Sequence, residues 1–186
     1  MRAILSNPQW IYLCGNHEDL LIKAMKEYLD TDCNSGAWWS LAGNGGSETF
    51  DSWIANGAHE GWIIALQNLP TFEEYINPNN QIILLSHAGF TPKGNIKDYI
   101  PNRKDILWNR EHLQDNWYSE NVYVVYGHTP IPFQLYTNRE KIDAWELTGS
   151  LRTCGGHKIN IDGGAYWNGK SILLNLDTLE EVIISV

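Results

Sequence analysis

The sequence predicts an α/β fold, a single domain over residues 1–186 with a mixed β-sandwich at its centre and flanking helices. Three observations predict it. Short apolar runs end in turns that carry histidine: the run entering Gly15-Asn16-His17-Glu18, then Ile82-Ile83-Leu84-Leu85 entering Ser86-His87-Ala88-Gly89, then Val122-Tyr123-Val124-Val125-Tyr126 entering Gly127-His128-Thr129-Pro130. Helix-period segments fill the interval between the first run and the second, and no repeat, low-complexity tract or linker divides the chain. Apolar runs of this length bounded by turn formers read as buried strands, covered on both faces.

From the N-terminus, Asp19 to Leu29 carries Leu20, Leu21, Ala24, Met25 and Tyr28 at the spacing of an amphipathic helix. Residues 34–46, rich in Gly, Asn, Ser and Trp, read as a loop or short helical turn. Two helices are predicted over Glu48–Asn56 and Glu60–Asn68, closed by Pro70. Strands follow near 72–76, 82–86 and 122–126, then over Phe133–Tyr136, Lys158–Ile161, Ser171–Leu176 and Glu181–Ser185, with Asp177-Thr178 as the hairpin turn between the last two. Residues 91–105 and 146–156 read as loops.

Composition excludes several classes. A hydrophobic content of 43% with nine tryptophans in 186 residues is that of a globular chain with a substantial core. No apolar run approaches the ~20 residues that span a bilayer, so no membrane association and a cytoplasmic location are expected. A net charge of −9 argues against a nucleic-acid partner, whose phosphates are met by Lys and Arg. Cys14, Cys33 and Cys154 are odd in number and widely spaced, which gives neither a disulfide framework nor a zinc knot.

The chemistry lies in the turns. Ligands gather beyond the carboxyl ends of strands in open α/β sheets, so Asn16, His17, His87 and His128 are expected to converge although far apart in sequence. Imidazole and amide oxygen suit a divalent zinc, manganese or iron ion, which lowers the pKa of bound water and polarises a phosphoryl oxygen. Hydrolysis of a phosphate ester then needs an acid for the leaving alkoxide, a role open to His17, and a guanidinium for the phosphoryl oxygens, a role open to Arg110. His59, His112 and His157 are given no chemistry; His59 reads as a helix start and His112 as part of a polar helical stretch.

These residues, with Leu107-Trp108-Asn109-Arg110-Glu111 and Ile161-Asp162-Gly163-Gly164-Ala165, stand in an order that resembles the calcineurin-like metallophosphoesterases. The closer likeness is to bacterial and bacteriophage serine/threonine protein phosphatases of the lambda type, which Trp38-Trp39-Ser40-Leu41-Ala42-Gly43-Asn44-Gly45-Gly46 also resembles. The resemblance implies a metallophosphoesterase-type mixed β-sandwich flanked by helices. It implies that Asn16, His87 and His128 are ligands of one metal of a two-metal centre, manganese or else iron or zinc. His17 is implied as general acid, Arg110 as phosphate ligand, Glu18 as an orienting group, and Asp162 with Gly163 as a structural turn beside the site. The implied reaction is in-line attack on phosphorus by a metal-activated hydroxide, with a phosphorylated protein or small phosphoester as substrate.

The chain also departs from that family. Its Gly-Asp-x-His-Gly and Gly-Asp-x-x-Asp-Arg-Gly motifs, which carry the first metal's ligands, do not occur, so the fold is expected to be N-terminally truncated and the first metal site incomplete. A gene fragment, a misassigned start or one piece of a split protein would each produce this. Cys14 stands where protein phosphatases have arginine, a feature shared with diadenosine tetraphosphatases, whereas Pro130 departs from the phosphodiesterase branch. Two alternatives therefore accompany the phosphatase reading: a bis(5'-nucleosyl)-tetraphosphatase-like hydrolase, and a non-catalytic binding or regulatory remnant.

Overall fold

A computed structural model of the chain describes residues 7–31, 45–94 and 102–185. The tryptophan- and glycine-rich residues 38–44 and Cys33 lie outside them. The chain divides into two compact units, Met1–Pro70 and Thr71–Val186, each described by itself. Among the described residues no helix is long and apolar enough to cross a membrane.

The first unit is helical: α1 (Asn16–Thr31), α2 (Gly46–Ala55) and α3 (Glu60–Gln67). Helix α1 buries Leu20, Leu21, Ala24 and Met25, the stripe expected from sequence, against α2 and α3. Tyr28 meets Phe50 and Trp53 of α2 edge-on, with ring centroids 5.6 and 5.7 Å apart. The helix begins three residues earlier than its apolar stripe suggests, because Glu18 accepts the Gly15 backbone N–H at 2.8 Å and so caps a turn that its apolar residues do not mark. Residues 10–15 form no strand, contrary to expectation. A strand exists only through a ladder, and this stretch instead makes a Cys14 N–H bond to the Pro70 carbonyl (2.8 Å) before entering α1.

The second unit contains β1 (Phe72–Ile76), β2 (Ile82–Ser86), α4 (Arg103–Trp108), β3 (Val122–Tyr126), α5 (Ile131–Leu135), α6 (Arg139–Asp143), β4 (Leu151–Thr153), β5 (Lys158–Asn160), α7 (Ala165–Asn168), β6 (Lys170–Leu174) and β7 (Glu181–Ser185). Five strands form one mixed sheet in the order β1-β2-β3-β5-β4, and β6-β7 form a separate hairpin. The central β2, β3 and β5 are parallel, with Ile82 opposite Val122 and Val124 opposite Lys158; β1 and β4 close the edges antiparallel. Alternation along the strands supplies two cores. Leu84, Val122, Val124 and Tyr126 pack with Phe90 on one face, while Ile83, Val125 and Ile159 pack on the other against Leu174 of β6, which makes the sandwich. Asn77, in the β1–β2 turn, donates to Gln81 and to the carbonyls of Leu176 and Asp177, tying the two sheets' turns together.

The sequence reading needs two corrections here. Phe133–Tyr136 is not a strand: Ile131–Leu135 is helical, because Pro130 and Pro132 fix helical-range φ at the start of the turn, where their missing N–H groups are not needed. Within the expected loop 146–156, Leu151–Thr153 is a strand paired antiparallel with β5. Its flanking glycines conceal it in the sequence.

His112, read from sequence as part of a polar helix, is 2% exposed in a 3-10 turn over Glu111–Gln114. Its Nε2 bonds the Ala88 carbonyl at 2.7 Å and its ring meets Tyr126 edge-on. The peptide carbonyl of His112 accepts from Nζ of Lys158, a buried lysine whose pKa burial pushes down. Burial, helped by the Lys158 charge, pushes the His112 imidazole from 6.5 down to about 4. The folded protein therefore keeps this ring neutral where the unfolded chain protonates it. Stability is expected to be complete above pH 6.5 and to fall by roughly 3 kcal/mol as the pH drops toward 4. Urea unfolding at pH 7 and pH 4.5 measures this, and His112→Gln should remove that part of the slope.

Candidate metal and phosphate site

Parallel β2 and β3 end side by side, and the Gly127 N–H donates to the His87 carbonyl at 2.9 Å, two residues beyond the last assigned pair, Leu85 with Val125. The next side chain is His128, whose φ of +67° is left-handed. That conformation is uncommon for a residue with a Cβ and turns the imidazole back toward its neighbour. His87 Nε2 and His128 Nδ1 consequently face each other at 3.1 Å.

Arg110 reaches the same place from another direction. Helix α4 is fixed by the Asn102 side chain at its N-terminus and by the Ala88 N–H bond to the Ile106 carbonyl, 2.7 Å long. Just past that helix, the exposed Arg110 donates through Nε to Thr129 Oγ1 at 3.1 Å, and the Trp108 ring meets the His128 ring edge-on at 6.2 Å.

Asp162 lies beyond the end of β5. Its N–H bonds Asn160 Oδ1, its Oδ1 accepts from Gly164 N–H, and its carbonyl accepts from Ile131 N–H. A Cβ placed on Gly127 would stand 3.6 Å from that of Asp162, so the three parallel strand ends meet here. Burial raises the Asp162 pKa, opposed by the Gly164 N–H.

In the first unit, Asn16 and His17 occupy the first turn of α1, with Asn16 7% exposed and His17 open to solvent. Glu18 spans this turn, taking the Gly15 N–H on one carboxylate oxygen and the Tyr12 hydroxyl on the other (2.9 Å). Burial and the Glu18 charge raise the Tyr12 pKa well above its ordinary value, so the phenol stays a donor. Cys14 is fully buried.

Sequence reasoning missed Thr129, the acceptor for Arg110, and Asn160. Asn160 is completely buried and its amide donates to the Thr129 carbonyl (2.8 Å) and Gln134 Oε1 (2.9 Å). A polar residue closing the apolar strand just before Asp162 was its signal.

The donor set fits a cation in one respect that can be checked. Two nitrogens held about 2.0–2.1 Å from one zinc-sized ion stand about 2.9 Å apart at an octahedral edge and about 3.4 Å at a tetrahedral one. The 3.1 Å between His87 and His128 falls between these. Among the described residues no group of three or more His, Cys, Asp or Glu is arranged to hold a metal.

No family model matches the sequence, and no curated protein matches it. A solved structure of a candidate diadenosine tetraphosphatase superposes with a TM-score of 0.52, covering 95% of this chain and 68% of that one, with 14% of residues identical. The likeness establishes the fold alone, a mixed α/β architecture with a five-stranded sheet and flanking helices.

Proposed function

We propose that the chain is a metal-dependent phosphoesterase of the phosphoserine/phosphothreonine phosphatase type. One observation carries the proposal: two imidazoles from adjacent parallel strand ends face each other at ligand spacing, with a guanidinium held next to one of them. In this reading His87 and His128 would hold a divalent ion, manganese first, with iron or zinc as alternatives; a ligand role for Asn16 rests on the sequence resemblance alone. Such an ion supplies an activated water and a Lewis acid for the phosphoryl group.

The chain's own residues do the rest. Arg110 offers guanidinium donors to two phosphoryl oxygens, and its bond to Thr129 fixes the plane from which they are offered. Glu18 holds the Gly15 turn and with it the first turn of α1, from which His17 gives a proton to the departing alkoxide. Asp162 keeps the β5 end packed against Gly127 and so sets where His128 begins its left-handed turn.

A second reading, hydrolysis of a dinucleoside polyphosphate, is favoured by the fold likeness to the candidate diadenosine tetraphosphatase. The two separate in one experiment. The purified chain, loaded with manganese, is assayed on p-nitrophenyl phosphate, a phosphoserine peptide and diadenosine tetraphosphate, beside His87→Ala and His128→Ala. Manganese-stimulated turnover that falls about 100-fold or more in both variants is expected, since each removes a ligand. Turnover unchanged by either substitution overturns the site. Preference for the dinucleotide transfers the assignment to the second reading, and absence of turnover from a metal-loaded chain leaves the non-catalytic reading.

A further inference from the structure

The first unit contains a cavity of about 400 Å³ that the catalytic reading does not use. Helix α1 supplies one wall through Leu21 and Met25, and Trp53 and Trp62 supply aromatic walls from α2 and α3. Trp53 is a fixed surface. It is 6% exposed, its indole N–H is committed to the His59 carbonyl at 3.3 Å, and Tyr28 and Phe50 brace it from behind. Ser52 of α2 and Asn56, the residue that caps its C-terminus, also line the cavity; the Asn56 side-chain amide N–H donates to the Ser52 carbonyl at 2.6 Å, which leaves the Ser52 hydroxyl and the Asn56 side-chain oxygen as polar groups there.

These features together select a ligand class. The volume lies in the range of small-molecule sites, which are mostly apolar with a few placed polar groups. Indole walls favour a flat ring that can stack, and the hydroxyl and amide favour a ring whose edge carries donors and acceptors. Among the described residues His59 is the one ionisable side chain on the lining and no carboxylate, lysine or arginine is there, so a cation would enter without a counter-charge and an anion would find at most one imidazole. We infer that this cavity binds an uncharged planar heteroaromatic ring of nucleobase size.

Its position gives the ring a use. Leu21 and Met25 stand four and eight residues after His17 on α1, which places all three on one stripe of the helix. Along the helix axis, Leu21 and Met25 are one to two turns from the proposed proton donor, about 6–12 Å, the reach of a sugar and a phosphate from a ring held against them. That use rests on the phosphoesterase reading and selects its nucleotide branch, since a phosphoserine side chain carries no ring. Binding in the cavity does not rest on it.

The test measures adenosine binding to the full chain by calorimetry in EDTA, so that neither metal nor turnover enters. Ribose serves as the control without a ring. Saturable adenosine binding is expected, with ribose at least tenfold weaker. Ser52→Trp, which plugs the cavity from an exposed position, should weaken adenosine at least tenfold while the urea midpoint stays within error. Trp62→Ala should weaken it about fivefold or more by removing a stacking face. No adenosine binding, equal binding of ribose, or a Ser52→Trp variant that binds as well as the parent overturns the inference. Intact binding in a chain with no phosphoesterase activity supports the cavity and counts against the catalytic reading alone.

Discussion

Replacing His17 with asparagine is expected to slow hydrolysis of a phosphoserine peptide by about 10²–10⁴-fold, the usual contribution of a positioned general acid. Hydrolysis of p-nitrophenyl phosphate should fall by less than about tenfold, because a nitrophenolate leaves without help from a proton. The split between substrates separates a proton donor from a residue that merely supports the fold, which would depress both alike. His17 is exposed on the first turn of α1, ahead of the helix's buried apolar residues, which begin at Leu20, so its loss should leave the urea midpoint nearly unchanged. Equal losses on the two substrates would remove His17 from the mechanism.

The largest effect on stability is expected at Gly89, immediately after the His87-Ala88 pair. Its φ of +77° is left-handed, and a Cβ there would stand 2.7 Å from both the His112 and Tyr126 rings. Neither ring can retreat: His112 is anchored to Ala88 and Tyr126 is 2% exposed. Gly89→Ala should lower the unfolding free energy by about 2–5 kcal/mol, combining backbone strain of about 1–2 with overpacking of about 1–3. Gly94 provides the control. It has a similar φ of +68° with nothing among the described residues within 4 Å of an added Cβ, so Gly94→Ala should cost only the backbone part, about 1–2 kcal/mol. Urea unfolding of both variants measures the difference, and equal losses would show that ring contact at Gly89 contributes nothing.

Most of the fold was legible where one element's own pattern decides its state. The strands over 72–76, 82–86, 122–126 and 181–185 fall where their apolar runs put them, and three helices of the first unit follow their stripes to within a few residues. Legibility failed where a partner decides. The apolar stretch before Asn16 has strand composition, yet its Cys14 N–H goes to Pro70 and no ladder forms. Leu151–Thr153 has glycine-rich surroundings, yet it becomes a strand because β5 offers an open edge. At the candidate site, the strand-end rule brought His87 and His128 together correctly, because β2 and β3 are neighbours. It could not foresee that Asn16 and His17 would be presented by a helix. Thr129 and Asn160 were missed for a different reason: each acts through a hydrogen bond to a residue distant in sequence, and only Asn160 left a mark, as the polar residue closing an apolar strand.

The pairing of β2 with β3 also limits how the imidazole pair can vary. Register along a sheet is discrete: a slip of one residue would carry His128 about 3.3 Å along its strand and turn the alternating side chains to the opposite face. The 3.1 Å between the two nitrogens is thus one mark on a coarse ruler. Small adjustments are left to the single left-handed residue at the end of β3, so tuning of this pair is confined to a turn while its coarse position is locked by five strands.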